Sequence, residues 1–251
     1  MKTTLLIITI FTLTVFSMIA AAGCISFSPG ANMVVGNGQV TQEEQPLNSE
    51  VTGAVTQSPI DLILDPDLTD KVKIEGESNI LEHVDVSQTA DGVLQVRFRP
   101  NVNISSFRTV KVHIPVPDGG LLETSSTGSI SAKDTVSLNV DTLRLTTSST
   151  GSININANVK ELIAVCSSTG RITVTGQAAN AVITLSSTGD FNGFDCKIVD
   201  AEVSLSSTGT ARVNVSGNLK GSISSIGNII YDGEPTSIIV STSSLGKVKR
   251  R

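Results

Sequence analysis

The chain repeats one short phrase, and this phrase decides the fold. It reads SSTGSI at Ser125–Ile130 and again at Ser148–Ile153. Three further copies read SSTG, and the last two read SSIG and SSLG. The seven copies begin at Ser125, Ser148, Ser167, Ser186, Ser206, Ser224 and Ser243. Their starts are 23, 19, 19, 20, 18 and 19 residues apart, and such a near-constant interval is typical of a solenoid, in which each repeat forms one stacked coil.

Apolar residues hold fixed places on both sides of the phrase. Before the fifth copy they alternate with polar residues as Ala201, Val203 and Leu205, and the fourth copy is preceded in the same way. After the glycine, the second and fourth residues are apolar, as in Ile153 and Ile155. Side chains of a strand point alternately to its two faces, so this pattern predicts strands that keep one inward face in register from coil to coil. The sequence therefore predicts an all-β solenoid with coils of about 19 residues.

The phrase itself is interpreted as the corner between two strands of a coil. A glycine adopts a positive φ without a steric penalty, which suits a tight corner. If alternation continues through the corner, the second serine points inward and its hydroxyl joins a stacked ladder of hydrogen bonds. The predicted corner residues are Ser126, Gly128, Ser149, Gly151, Ser168, Gly170, Ser187, Gly189, Ser207, Gly209, Ser225, Gly227, Ser244 and Gly246.

Composition excludes some functions. The 251-residue chain has a net charge of −5 and a pI near 5.0, which argues against nucleic-acid binding because phosphate contacts need clustered basic residues. Aromatic residues make up only 3% of the chain, and tryptophan is absent. Exposed aromatic faces for stacking sugar rings are therefore scarce.

The first residues differ from the rest of the chain. An apolar run follows Lys2, and residues 1–23 are predicted to be an export signal peptide. The run ends in AAGC, which resembles the lipobox of prokaryotic lipoproteins, so Cys24 is predicted to be lipidated and to hold the protein on the cell envelope. Residues 24–38 are predicted to be a tether. A plain secretory signal and an uncleaved membrane anchor are the alternatives.

Residues 39–120 show strands and turns without the repeat, and residues 121–251 carry the regular coils. The first part contains DLIL, KVKIEGESNILEHVDVSQTADGVLQVRFR and TVKVHIPVPDG, with Asp91–Gly92 as a hairpin turn, and the chain ends in YDGEPTSIIVSTSSLGKVK. In this order the segments resemble the head GIN domain of auto-transporter adhesins, from about Val40 to Arg251. The resemblance implies a right-handed, single-stranded parallel β-helix at the cell surface, often lipid-anchored, with no established enzymatic activity.

No pattern of residues predicts a catalytic or metal site, and no cofactor is expected. The residues predicted to point outward after the corners are Lys133, Asn154, Arg171, Asp190 and Arg212, and they do not form the paired acids of glycoside hydrolases. Asp195 is interpreted as a turn carboxylate. His83 and His113 have no further ligands at metal-binding spacing.

These observations predict a non-catalytic envelope lipoprotein that is adhesin-like and presents a polar surface to a glycan or an envelope protein. One alternative is a structural or sensory component that reports to a membrane partner. A carbohydrate-active β-helix enzyme is the other alternative. The sequence leaves the oligomeric state open.

Overall fold

A computed structural model describes residues 33–133, 136–243 and 245–251. The predicted signal peptide, Cys24 and most of the predicted tether lie outside the described residues, as does Ser244. No helix among the described residues is both long and apolar enough to span a membrane.

The described chain is almost entirely β-structure, with one short helix, α1 (Ser78–Leu81). The strands are β1 (Met33–Val35), β2 (Val40–Pro46), β3 (Gly53–Thr56), β4 (Ile60–Leu64), β5 (Lys71–Glu77), β6 (Val84–Gln88), β7 (Val93–Phe98), β8 (Asn103–Ser106), β9 (Val110–Ile114), β10 (Leu121–Thr124), β11 (Ser129–Ala132), β12 (Thr142–Thr147), β13 (Ser152–Cys166), β14 (Arg171–Leu185), β15 (Asp190–Leu205), β16 (Thr210–Val215), β17 (Asn218–Ile223), β18 (Asn228–Asp232), β19 (Ser237–Thr242) and β20 (Lys247–Arg250).

From β10 onward the chain winds as a parallel solenoid, which confirms the predicted fold class. Each corner joins a strand that ends at the phrase to a strand that begins after it. On one side of the corner β10, β12, β13, β14, β15, β17 and β19 pair in parallel. On the other side β11, β13, β14, β15, β16, β18 and β20 do the same. The long strands β13, β14 and β15 bend and so belong to both sides.

The core is a set of axial columns of apolar side chains, one residue per coil. Ile153 pairs with Ile172, which pairs with Phe191, which pairs with Ala211, and all four are fully buried. The predicted inward face is therefore confirmed in register. Successive coils share this interior, so each coil buries apolar surface against its neighbours.

The coil between the fourth and fifth copies is one residue longer than the two coils before it, and the extra residue is absorbed away from the corner. β15 spans 16 residues where β13 and β14 span 15. The pairing of β14 with β15 shifts register between Thr173 and Gly176, and that of β15 with β16 shifts between Gly193 and Lys197. Both shifts lie near the bend of the coil. The corners before and after β15 therefore remain aligned.

In the N-terminal part, the spatial order of the strands differs from their order along the chain. β3 and β4 lie between two other coils, because β3 pairs with β7 and β10 while β4 pairs with β9 and β11. The end of the solenoid is closed by antiparallel pairs of β2 with β5, β5 with β9, and β6 with β7. The last pair confirms the hairpin predicted at Asp91–Gly92, where Gly92 has a φ of +83°.

The segment predicted as the end of the tether is part of this cap. Met33–Val35 pairs with β8, and the buried Glu77 side chain accepts hydrogen bonds from the backbone N–H groups of Gly38 and Arg108, the latter at 2.7 Å. A buried carboxylate is tolerated when hydrogen bonds satisfy it. The folded structure therefore includes residues 33–38, where the sequence pattern alone indicated a tether.

Candidate functional site

The seven-fold phrase forms a column of corners along the solenoid axis. Hydrogen bonds between backbones connect successive corners: the N–H of Ser148 donates to the carbonyl of Thr124 at 3.0 Å, and the N–H of Ser167 donates to that of Thr147 at 3.0 Å. The equivalent bond of Ser186 to Cys166 has the same length. In the first six copies the glycine is buried, whereas the first and third residues are exposed and the second is half-buried.

The corner glycines do not have positive φ. The interpretation that glycine is needed there for a positive-φ turn is therefore wrong. Among the residues that the structure describes, the positive-φ glycines are Gly38, Gly92, Gly120, Gly176 and Gly233, all outside the phrase. The corner glycines are instead required by close approach between coils. A Cβ on Gly151 would lie 2.6 Å from the carbonyl oxygen of Gly128 and 2.6 Å from Thr124 Oγ1. The preceding coil leaves no space for a side chain.

The second serines do not form the expected buried ladder. In the first six copies the alternation continues through the corner, so the second serine lies on the same side as the buried glycine, but its side chain is only half-buried. The buried hydroxyls belong instead to the residue before the phrase, as at Thr124, whose Oγ1 donates to the carbonyl of Gly128 at 3.1 Å. Later coils replace this threonine with Cys166, Leu185 and Leu205.

The exposed residues of the first five copies form two parallel files of hydroxyl groups, here called the hydroxyl edge. It consists of Ser125, Thr127, Ser148, Thr150, Ser167, Thr169, Ser186, Thr188, Ser206 and Thr208. Among the described residues, the side-chain hydrogen bonds of serine and threonine come from other positions, such as Thr124 and Ser224. The hydroxyl groups of the edge thus remain available to other molecules.

The residue that follows each corner glycine varies, in contrast to the hydroxyl edge. This partly exposed position holds Ser129, Ser152, Arg171, Asp190 and Thr210 in successive coils. Exposed positions that serve only solubility are free to vary in this way. Serine and threonine thus recur at the exposed corner positions of the first five copies, whereas the next position does not keep one residue type.

The outward residues predicted after the corners fall into separate groups. Asp190 lies between two guanidinium groups, 3.5 Å from that of Arg171 and 3.8 Å from that of Arg212. Asn154, Arg171 and Thr150 line an open pocket of about 460 Å³ beside the hydroxyl edge. One carboxylate between two arginines lacks the second acid that glycoside hydrolysis needs. Asp195 is exposed within β15 near the bend.

Lys133 belongs to a third group, an ionic cluster across three adjacent coils. Its Nζ lies 2.6 Å from the Oδ1 of the buried Asp65 and 2.9 Å from Asp67. His113 Nδ1 lies 3.3 Å from the other oxygen of Asp65. Because β4, β9 and β11 are neighbours, the cluster connects the regular coils to the N-terminal part. His83 lies elsewhere, just before β6, and within the described ranges no group of three potential ligands is placed to hold a metal.

We expect Asp65 to make stability dependent on pH in the acid range. Burial raises the pKa of its carboxyl group, but hydrogen bonds from Lys133 and from the Asp67 backbone outweigh burial and lower the pKa overall. A lowered pKa in the folded state stabilises the fold above the ordinary value of about 4, and this contribution is lost as the pH falls through the lowered pKa. Asp65→Asn should therefore lower the melting temperature more at pH 7 than at pH 3. The control is Asp195→Asn, at an exposed position outside the cluster, and an equal effect of Asp65→Asn at both pH values would contradict the assignment.

The two cysteines of the solenoid are free and buried, and we expect them to be unreactive in the folded protein. Burial raises the pKa of Cys166 and raises that of Cys196 to about 11, so little thiolate forms near neutral pH. Alkylation with iodoacetamide at pH 8, followed by peptide mass spectrometry, should label neither residue until denaturant is added. Rapid labelling of either cysteine without denaturant would show that its coil opens.

A second concave surface lies at the bend between the two halves of each coil, here called the bend groove. It has a volume of about 550 Å³ and crosses several coils. Its polar row contains Asn139, Asn158, Gln177 and Lys197, and its apolar surface includes Ala178 and Val199. Sequence reasoning missed this groove, although polar residues recur there at nearly the same interval as the corners.

Comparison with known proteins agrees with this architecture. A crystal structure of a "putative adhesin" from Bacteroides fragilis is 17% identical, covers 87% of this chain and all of its own, and has a TM-score of 0.77. A second "putative adhesin", from Parabacteroides merdae, is 19% identical over 87% of this chain and 99% of its own, with a TM-score of 0.69. A "putative lipid binding protein" from Parabacteroides distasonis is 18% identical over the same shares, with a TM-score of 0.65.

These structures share the fold at low identity. No curated protein matches the chain. A family model described as "Putative auto-transporter adhesin, head GIN domain" matches residues 52–235, which include the N-terminal coils and all but the last corner. The chain therefore belongs to the family of the auto-transporter adhesin head GIN domain.

Proposed function

We propose that the protein is an exported, lipid-anchored and non-catalytic adhesin, which holds another macromolecule of the cell surface along the side of its solenoid. The hydroxyl edge is the observation that carries this proposal. Ten exposed hydroxyl groups in two files recur once per coil, although the positions beside them vary. Neighbouring coils are about 4.8 Å apart, so the edge presents closely spaced donors and acceptors over five coils.

The family membership supports an adhesin-like role at the cell surface. Binding spread over several coils suits a solenoid, because every coil presents the same kind of surface to an extended partner. Each exposed hydroxyl contributes little by itself, so affinity depends on many contacts being made together.

The proposal is tested with the lipidated full-length chain in its native cells. Crosslinking and affinity capture should recover a surface polymer or protein. Replacing Ser148, Ser167 and Ser186 by alanine and Thr150, Thr169 and Thr188 by valine should lower capture at least about tenfold, equivalent to roughly 1.4 kcal/mol. The control variant carries Ser222→Ala and Ser241→Ala, which are exposed hydroxyl positions on later coils. Equal capture by both variants would contradict a role of the hydroxyl edge.

Anchoring through Cys24 has its own test. The wild-type protein should fractionate with membranes and carry acyl mass on Cys24, since each buried methylene of a lipid chain contributes about 0.8 kcal/mol. Cys24→Ala should remove that mass and shift the protein out of the membrane fraction, while Ser26→Ala should change neither. Membrane retention of Cys24→Ala would show that the apolar run at residues 5–23 is itself the anchor.

A further inference from the structure

The bend groove differs from the hydroxyl edge in carrying amide side chains in register. Asn158 pairs with Gln177, and Gln177 pairs with Lys197, so these positions follow one another by one coil each. Asn139 precedes them, because the neighbouring Leu138 forms a bridge with Ala157 and accepts a hydrogen bond from the N–H of Asn158 at 2.8 Å. The result is a polar row along the axis.

The amides of this row are exposed and offer unused hydrogen-bonding groups. Asn139 donates one side-chain bond, to the carbonyl of Ser137 at 2.9 Å. Within the described ranges, Asn158 and Gln177 are exposed and contribute no side-chain hydrogen bond to the protein. Each amide has two donors and an acceptor, which matches hydroxyl groups that both donate and accept.

Apolar surface lies beside the row. Val159, Ala178 and Ile198 are buried at the base of the groove, and Val199 is 50% exposed at its margin. A ligand that fits this surface has apolar faces and hydroxyl-bearing edges along its whole length. Sugar rings joined into a chain have this character.

Other extended ligands fit less well. A peptide strand would need unpaired backbone groups, but β13, β14 and β15 are paired on both sides. A nucleic acid would need more positive charge, since Lys160 is paired with Asp141 at 2.8 Å and Lys197 is the other cation of the groove.

We propose that the bend groove binds a polysaccharide chain lying along the solenoid axis. The amide row bonds its hydroxyl groups, and the exposed Val199 at the margin contacts its ring faces. Lys197 is positioned to pair with a carboxylate where the chain contains acidic sugars. This inference rests on the proposed adhesive function and adds the bend groove as a second binding surface, with the class of molecule that it holds.

The test uses the full-length protein and four immobilised probes: a neutral β-glucan, chitin oligosaccharides, polygalacturonate and phosphatidylglycerol vesicles. The groove variant carries Asn158→Asp and Gln177→Glu, which preserve side-chain shape but remove donors and add negative charge. The matched control carries Asn48→Asp and Gln57→Glu, the same two changes at exposed amides outside both surfaces. Wild type should bind at least one polysaccharide, and the groove variant should bind it at least about tenfold more weakly, a change of roughly 1.4 kcal/mol. The control should bind normally.

Lys197→Gln should weaken binding to polygalacturonate and leave binding to neutral chains unchanged. Equal binding by wild type and the groove variant would overturn the inference, as would binding to the vesicles alone. If a surface protein is captured in native cells and no polysaccharide binds, the inference fails and the proposed adhesive function stands. If neither is captured, both fail.

Discussion

Gly151→Ala is expected to lower the free energy of unfolding by about 3 kcal/mol, the upper part of the range for overpacking a filled interior. The added methyl group would lie 2.6 Å from the carbonyl oxygen of Gly128 and 2.7 Å from that of Ser126. Both oxygens belong to the backbone of the preceding coil, which hydrogen bonds hold in place on either side of the corner. A side chain could swing away, but this backbone can move only by separating two coils.

Thermal unfolding measures this effect, and the expected fall in melting temperature is about 6–12 °C for a chain of this size. Thr150→Ala is the matched control, because it changes the adjacent exposed residue of the same corner and should shift stability by no more than about 0.5 kcal/mol. A Gly151→Ala protein as stable as this control would show that the corners are less tightly stacked than described.

Phe191→Ala is expected to cost a similar amount, about 3–5 kcal/mol, through loss of buried surface and formation of a cavity. Phe191 is fully buried and stands in a column between Ile172 and Ala211. Space for its ring comes from the small Ala211 and from Gly193, where a Cβ would lie 2.7 Å from the ring. The truncated side chain would leave a void that rigid neighbouring coils cannot close.

Urea unfolding of the variant measures the change, with Ile239→Ala as control because Ile239 is 65% exposed on β19. The control should remain within about 0.5 kcal/mol of wild type. A loss below about 1 kcal/mol for Phe191→Ala would mean that the coils collapse around the vacancy.

The regular coils could be predicted because two periodicities in the sequence agree. The phrase returns about every 19 residues, and the apolar residues beside it alternate in the same phase. The role of the corner glycine could not be predicted in the same way. Its constraint comes from the coil before it, as at Gly151 and Gly128, and a contact between coils leaves no local pattern that distinguishes it from a turn with positive φ.

The N-terminal arrangement was not predictable for a related reason. β3 and β4 insert between coils formed by later segments, and an order that departs from the chain leaves no repeat. The ionic cluster of Asp65, His113 and Lys133 follows from this insertion, since residues so distant in sequence become neighbours only through it. The residues of the hydroxyl edge can be found in the sequence because they are part of the repeated phrase. The bend groove was missed because Asn158, Gln177 and Lys197 share polarity without sharing a residue type.

The extra residue that β15 accommodates at its bend has a consequence for how this protein changes over generations. An insertion there shifts the register of one coil locally, and the next corner restores the alignment of the strands. Length changes can therefore accumulate at the bend without spreading through the molecule. The bend groove lies there, so a change in length can alter the shape of the groove without displacing the corners.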